Sequence, residues 1–284
     1  MTLSSPPLGL LLDVDGPIAS TRTRTLRVAS IARDLVACAN AGCPVVFNTG
    51  RSSDFLAERI IPVLAEEGLL ADAPVWGVGE KGGTWFALVA DAPTATVGEV
   101  QQDDAMRPPE ELVSFSRDLA DRFRDLVFFD ETKRTMISIE QHVDVPNDDF
   151  LARRDELVAE LDSEIRRLGV QDQITIYPTV ISIDVEHVDS GKALGARRAL
   201  AFIRQRAEPP ARWFTAGDSG QDYDMAAQLH DDGFTATHLD VRPEGDVPEV
   251  PFEVIRELPM PSIGVAEDDL TARHLARLRD ELGF

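Results

Sequence analysis

Apolar residues along this chain come in short unbroken runs. They occur at 8–12 (LGLLL), 44–48 (PVVFN), 75–78 (VWGV) and within 211–220 (ARWFTAGDSG). Four or five apolar residues without polar alternation predict a strand buried on both faces, as in a parallel sheet. Helical patterns lie between them. One covers 26–41 and stops at Ala-Gly before Cys43-Pro44; the next is capped by Ser52 or Ser53, with Asp54 in its first turn. Another opens on Asp189 or Ser190 and runs through SGKALGARRALAFIRQR. The last, 268–282, sets Leu270, Leu275, Leu278 and Leu282 near one face.

The pattern changes between residues 84 and 184. TWFALVA, DLVFFDE and TMISIEQHV read as strands, a charged helix spans 148–168, and ITIYPTVISIDV reads as more strand. Hairpin-like strands followed by a helix predict an α+β unit. The expected fold is therefore α/β: a Rossmann-like parallel-sheet core from residues 1–83 and 185–284, with an inserted α+β domain at 84–184.

Three of the apolar strands run into polar residues: Asp13 and Asp15, Thr49, and Asp218. In open α/β sheets, ligands bind beyond the carboxyl ends of the strands, so these endings converge on one crevice. Taken singly, each is also an ordinary helix cap after a strand.

Charge narrows the partners. The net charge of −22 argues against nucleic acid or an anionic membrane, because nothing offsets phosphate repulsion. No apolar run approaches the ~18–20 residues of a membrane helix. The N-terminus lacks the basic start and cleavage site of a signal peptide. Cys38 and Cys43 fit neither a zinc site nor a disulfide framework and read as thiols of a reducing, cytoplasmic compartment. If the substrate is anionic, its site needs local positive charge, and lysine is scarce: Lys81, Lys133 and Lys192 are the only ones.

Taken together, four motifs in order resemble those of the haloacid-dehalogenase-like hydrolase superfamily. They are DVDGP at 13–17, NTGR at 48–51, Lys192 in DSGKALGARRAL, and GDSGQDYDM at 217–225. The insert lies between the second and third motifs, where the superfamily's type-two caps sit. Its α+β character resembles the subtype (IIB) of Cof-like and sugar-phosphate phosphatases, including those acting on sucrose, trehalose and mannosylglycerate phosphates. GEKGG at 79–83 resembles that group's GENGA-like stretch, with Lys81 where Asn is usual. Two further departures are Pro17 for the usual Thr and Gln221 for the usual Asn.

The resemblance implies a phosphoric monoester hydrolase acting on a small phosphorylated metabolite with Mg²⁺. Asp13 is implied as the nucleophile that forms an aspartyl phosphate, and Asp15 as the acid/base. Asp13, the backbone carbonyl of Asp15, and Asp218 are implied as metal ligands, with Asp222 close behind. Thr49, Gly50 and Lys192 are implied to bind the phosphoryl group. Arg51 is a candidate for substrate contact. Lys81 reads as a solvated loop residue, and Glu140 and His142 as candidates to face the crevice.

Other readings of these segments fail on their own residues. DVDG is not a calcium loop, since Gly16 is fourth and Arg24 stands where the closing Glu belongs. Gly191-Lys192 is not a nucleotide-binding loop, since Glu186 replaces its first Gly and Ala193 its Ser/Thr. Two alternative functions remain, a phosphomutase of the same fold and a non-catalytic sugar-phosphate-binding protein. Monomer and homodimer are both open.

Overall fold

Each apolar run becomes a strand. The computed structural model describes residues 6–284. In chain order it begins with β1 (Gly9–Leu12), α1 (Ala29–Asn40) and β2 (Val45–Asn48). Next come α2 (Ser53–Phe55), a π-helical turn at Leu56–Ile60 and α3 (Ile61–Glu66). Strands β3 (Val75–Gly79), β4 (Thr84–Ala87) and β5 (Gln101–Gln102) follow. A middle section holds α4 (Glu110–Arg122), β6 (Val127–Phe129), β7 (Ile137–Gln141), α5 (Asn147–Leu168), β8 (Ile174–Pro178) and β9 (Ser182–His187). The chain closes with α6 (Lys192–Arg204), β10 (Arg212–Gly217), α7 (Tyr223–Asp231), β11 (Thr235–Asp240), β12 (Glu253–Arg256) and α8 (Glu267–Leu282).

Two compact units result. One joins the described residues up to Gln101 with Gly191–Phe284, and the other is Gln102–Ser190. The first carries an eight-stranded sheet in the order β12-β11-β10-β1-β2-β3-β4-β5. From β12 to β3 all neighbours are parallel, and β4 is antiparallel to β3. This corrects one expectation. TWFA at 84–87 was expected to open the insert, but it returns against β3 in the large sheet.

Both faces of that sheet are covered, which is why its strands read as unbroken apolar runs. Leu10, Leu12, Val45, Phe47 and Phe214 pack with Ile31 and Leu35 of α1 and Leu270 and Leu275 of α8. Leu11, Val46, Trp76 and Trp213 pack on the other face with Ala199 and Leu200 of α6 and Met225 and Leu229 of α7. Register does the rest. Leu12 stands opposite both Phe47 and Ala216, so β1, β2 and β10 end at the same level.

The second unit has a four-stranded antiparallel sheet, β6-β7-β9-β8. Ile137, Ile139, Ile183 and Val185 face α4 and α5 through Leu112, Leu119, Phe150, Leu157 and Leu161. The alternate positions are polar, and Ser138 Oγ donates to Asp184 Oδ1 at 2.7 Å. His142 bonds within its own unit, through Nε2 to the Arg124 carbonyl at 2.9 Å. Among the described residues, no helix is long and apolar enough to cross a membrane.

Candidate active site

Beyond Leu12 the chain must turn away from the sheet, and Gly16 sits at that turn with φ +86°. A Cβ there would stand 2.3 Å from Asp218 Oδ2, so glycine serves both the left-handed conformation and the close approach of Asp218. Pro17 fits the same turn. Its neighbours carry the hydrogen bonds, Gly16 N–H to the Ala19 carbonyl at 2.9 Å and Ile18 N–H to the Val14 carbonyl at 3.2 Å. A residue lacking an N–H is tolerated between them.

Asp13, Asp218 and Asp222 converge. Each offers a carboxylate oxygen, and these lie within 4.8 Å of one another. Lys192, the first residue of α6, enters the cluster. Its Nζ stands 2.6 Å from Asp13 Oδ1 and 2.8 Å from Asp222 Oδ1. It also donates to the Asn48 carbonyl at 2.8 Å. The Asn48 side chain in turn donates Nδ2–H to the Lys192 carbonyl at 2.9 Å, so β2 grips this lysine at both ends. Asp222 Oδ2 accepts from the Ser219 amide and hydroxyl, both at 2.8 Å.

The charges are not balanced. Burial drives the Asp13 and Asp218 carboxyls well above their ordinary range. The neighbouring carboxylates push the same way, and Lys192 opposes them. Burial also works against the charge on Lys192, but Asp13 and Asp222 outweigh it and hold its ammonium above the ordinary lysine value.

Thr49 and Asp15 complete the crevice rim. Thr49 is fully buried, and its hydroxyl accepts the Arg51 amide at 3.1 Å, which leaves its O–H to donate. The Asp15 carboxylate is not one of the three in that cluster. Arg51 holds it in a two-pronged pair, Nε to Oδ2 at 2.8 Å and Nη2 to Oδ1 at 3.0 Å. Arg51, taken from sequence as a substrate contact, therefore spends two of its donors orienting Asp15.

No protein-family model matches the chain, and no curated protein matches it by sequence. Solved structures do. A haloacid dehalogenase-like hydrolase from Bacteroides thetaiotaomicron aligns with TM-score 0.61 at 15% identity, over 95% of this chain and 98% of that one. The C-terminal domain of Candida albicans trehalose-6-phosphate phosphatase gives 0.61 at 12% identity, over 97% and 93%. The Synechocystis sucrose-phosphatase, solved with sucrose and phosphate, gives 0.51 at 13%, over 96% and 98%. The chain has the haloacid-dehalogenase-like hydrolase fold.

In this chain's version of that fold, the acidic cluster suits a divalent cation. Its donors are all oxygens, as a hard cation prefers. Three carboxylates face one ammonium, and Gly16 leaves the space that Asp218 fills. A cation there would favour the ionised carboxylates against the burial, and then the mutual repulsion, that raise Asp13 and Asp218.

Two features lay outside the sequence reading. Lys81, expected in solvent, is 7% exposed, and its backbone is tied into the site. Behind Asp222 lies a second polar cluster at the end of β11. Tyr223 donates to Asp240 Oδ2 at 2.6 Å, Arg242 forks onto the same carboxylate, and Arg256 pairs with it as well. Burial opposes the charge on Asp240, but the bonds from Arg242 and Tyr223 prevail and hold its carboxyl at about 2. Burial, then Asp240, raises the Tyr223 hydroxyl to about 12. The signal was present in the sequence, since THLD at 237–240 is one more strand running into acid.

Proposed function

We propose that this protein is a Mg²⁺-dependent phosphatase of a small phosphorylated metabolite, a sugar phosphate, acting through an aspartyl phosphate. One observation carries the reading: Asp13, Asp218, Asp222 and Lys192 meet beyond the carboxyl ends of β1 and β10, beside Thr49 at the end of β2. The sugar-phosphate class is supported by the trehalose-6-phosphate phosphatase and sucrose-phosphatase that share the fold.

Asp13, Asp218 and the Asp15 backbone carbonyl would hold Mg²⁺, with Asp222 behind them. Bound there, Mg²⁺ neutralises charge on the carboxylates and the phosphoryl oxygens. Lys192 favours the ionised form of Asp13, against the burial that raises its carboxyl. Asp13 attacks phosphorus, forming one P–O bond as the ester P–O bond breaks. Asp15, oriented by Arg51, gives its proton to the departing oxygen. It then takes a proton from the water that attacks the aspartyl phosphate, returning Asp13 and releasing phosphate. The Thr49 hydroxyl and the Gly50 amide bind phosphoryl oxygens during both steps. We assign the unit Gln102–Ser190 to the choice of leaving group.

The test is release of phosphate from p-nitrophenyl phosphate and a panel of sugar phosphates. Release is expected only with Mg²⁺, and Asp13→Asn is expected to reduce it to background. Turnover that survives chelation, or an unaffected Asp13→Asn, overturns the proposal. Sugar-phosphate isomerisation without net phosphate release would point to a mutase instead.

A further inference from the structure

Asn48 ends β2 and is completely buried. Its backbone carbonyl accepts from Lys192 Nζ at 2.8 Å, and its side-chain Nδ2 donates to the Lys192 carbonyl at 2.9 Å. One residue thus holds the lysine at its root and at its tip, and the tip reaches Asp13 Oδ1 at 2.6 Å. Lys192 is the first residue of α6. The bond to its carbonyl therefore fixes the first turn of the helix, and with it the point from which the lysine side chain starts.

That bond has a cost at the other end of the amide. Turning the amide over would set its oxygen against the Lys192 carbonyl, two acceptors with no hydrogen between them, so the nitrogen is the end that faces Lys192. The oxygen then lies against Gly195, where a Cβ would stand 2.0 Å from it. The Gly195 N–H is already given to the Gly191 carbonyl at 3.2 Å. Among the described residues, Asn48 Oδ1 has no hydrogen-bond partner. A buried acceptor left without a donor lowers stability, and a smaller side chain would avoid the loss. The three residues before it, Val45, Val46 and Phe47, are apolar. An amide that closes such a strand with its oxygen unsatisfied serves the site at the expense of the fold.

We propose that Asn48 is a positioning residue for catalysis: its amide, bonded to the Lys192 carbonyl, sets the Lys192 ammonium on Asp13. Asn48 acts through Lys192 and not on the substrate. Its catalytic consequence rests on the phosphatase reading; its hold on Lys192 does not.

The test uses the full chain as wild type, Asn48→Ala and Asn48→Ser. Serine fills part of the space but is too short to bridge to Lys192. The chain has only the lysines Lys81, Lys133 and Lys192, so protein isotopically labelled at the lysine side-chain nitrogen gives few ammonium resonances. That of Lys192 is the one lost in Lys192→Met. In both Asn48 variants this resonance is expected to shift or broaden. With Mg²⁺ and p-nitrophenyl phosphate, kcat is expected to fall about ten- to hundredfold, the effect of a misplacement of about 1 Å, with KM changed by less than about threefold. The melting temperature is expected to move by less than about 4 °C, because losing the bond and removing the unsatisfied oxygen oppose each other.

An unchanged Lys192 resonance, or kcat within about twofold of wild type, in both variants overturns the assignment. So does a melting temperature lowered by more than about 10 °C with kcat and KM both impaired, which marks a structural role. A perturbed Lys192 resonance in the variants of a protein whose wild type hydrolyses no phosphoester overturns the phosphatase reading alone and supports Asn48 as the residue that places Lys192.

Discussion

His238 shows what burial does to a single residue behind the site. It is completely buried on β11, Thr215 Oγ1 lies 2.7 Å from its Nδ1, and the Tyr223 ring packs 4.4 Å away. Burial lowers its pKa to about 4, against nearby Asp222 and Asp240, which favour the charged form. A base whose folded value lies below its unfolded ~6.5 binds more protons when unfolded between those two values. Its contribution to stability is complete above about pH 6.5 and is lost as pH falls towards 4. The shift corresponds to a loss on the order of 3 kcal/mol. Urea unfolding at pH 7 and pH 4.5 is expected to show a smaller drop in His238→Asn than in wild type. Equal drops would mean that His238 is not held neutral. At this scale the sequence displayed the acids at strand ends but not their neighbours. Tyr223, His238, Asp240 and Arg256 are brought together only when β10, β11 and β12 pair. Lys81 was misread for a related reason. GEKGG looks like an open loop until its backbone bonds to Thr49 and Arg51 bury it.

Among elements, the closest approach that positions the site is α6 against β2. A Cβ on Gly195 would stand 2.0 Å from Asn48 Oδ1. Glycine therefore lets the helix lie on the strand closely enough for Asn48 to hold Lys192. Alanine is the better helix former by up to ~1 kcal/mol, so Gly195→Ala would stabilise an isolated helix. Here the steric cost of overpacking, about 1–3 kcal/mol, opposes that gain and exceeds it. We predict that Gly195→Ala lowers the melting temperature and weakens catalysis by displacing Lys192 from Asp13. An unchanged kcat with a raised melting temperature would show that the two elements separate freely. The parallel strands and their helices were legible because burial on both faces leaves unbroken apolar runs. The partner of TWFA was not. Strand character is local, but pairing with β3 depends on the tight turn at Glu80–Gly82 that returns the chain along the same sheet.

For the whole molecule, the field opposes the chemistry proposed for its site. A net charge of −22 surrounds a crevice that would receive a phosphate ester, and that field repels an incoming dianion at long range. The attractive groups, Lys192 and the expected Mg²⁺, act only at short range inside the site. Salt separates the two contributions. At about 0.01 M ionic strength the screening length is about 30 Å, comparable to the molecule, whereas at about 0.15 M it falls to about 8 Å. The repulsion from distant surface carboxylates is then screened, while buried pairs are screened much less. We therefore predict that kcat/KM for a sugar phosphate rises as ionic strength increases over that range at fixed Mg²⁺, through KM, with kcat nearly constant. A cationic or neutral inhibitor competing at the same site should not show this rise. A kcat/KM that falls with salt would mean that the local cations dominate the approach, and that the acidic exterior has no influence on substrate capture.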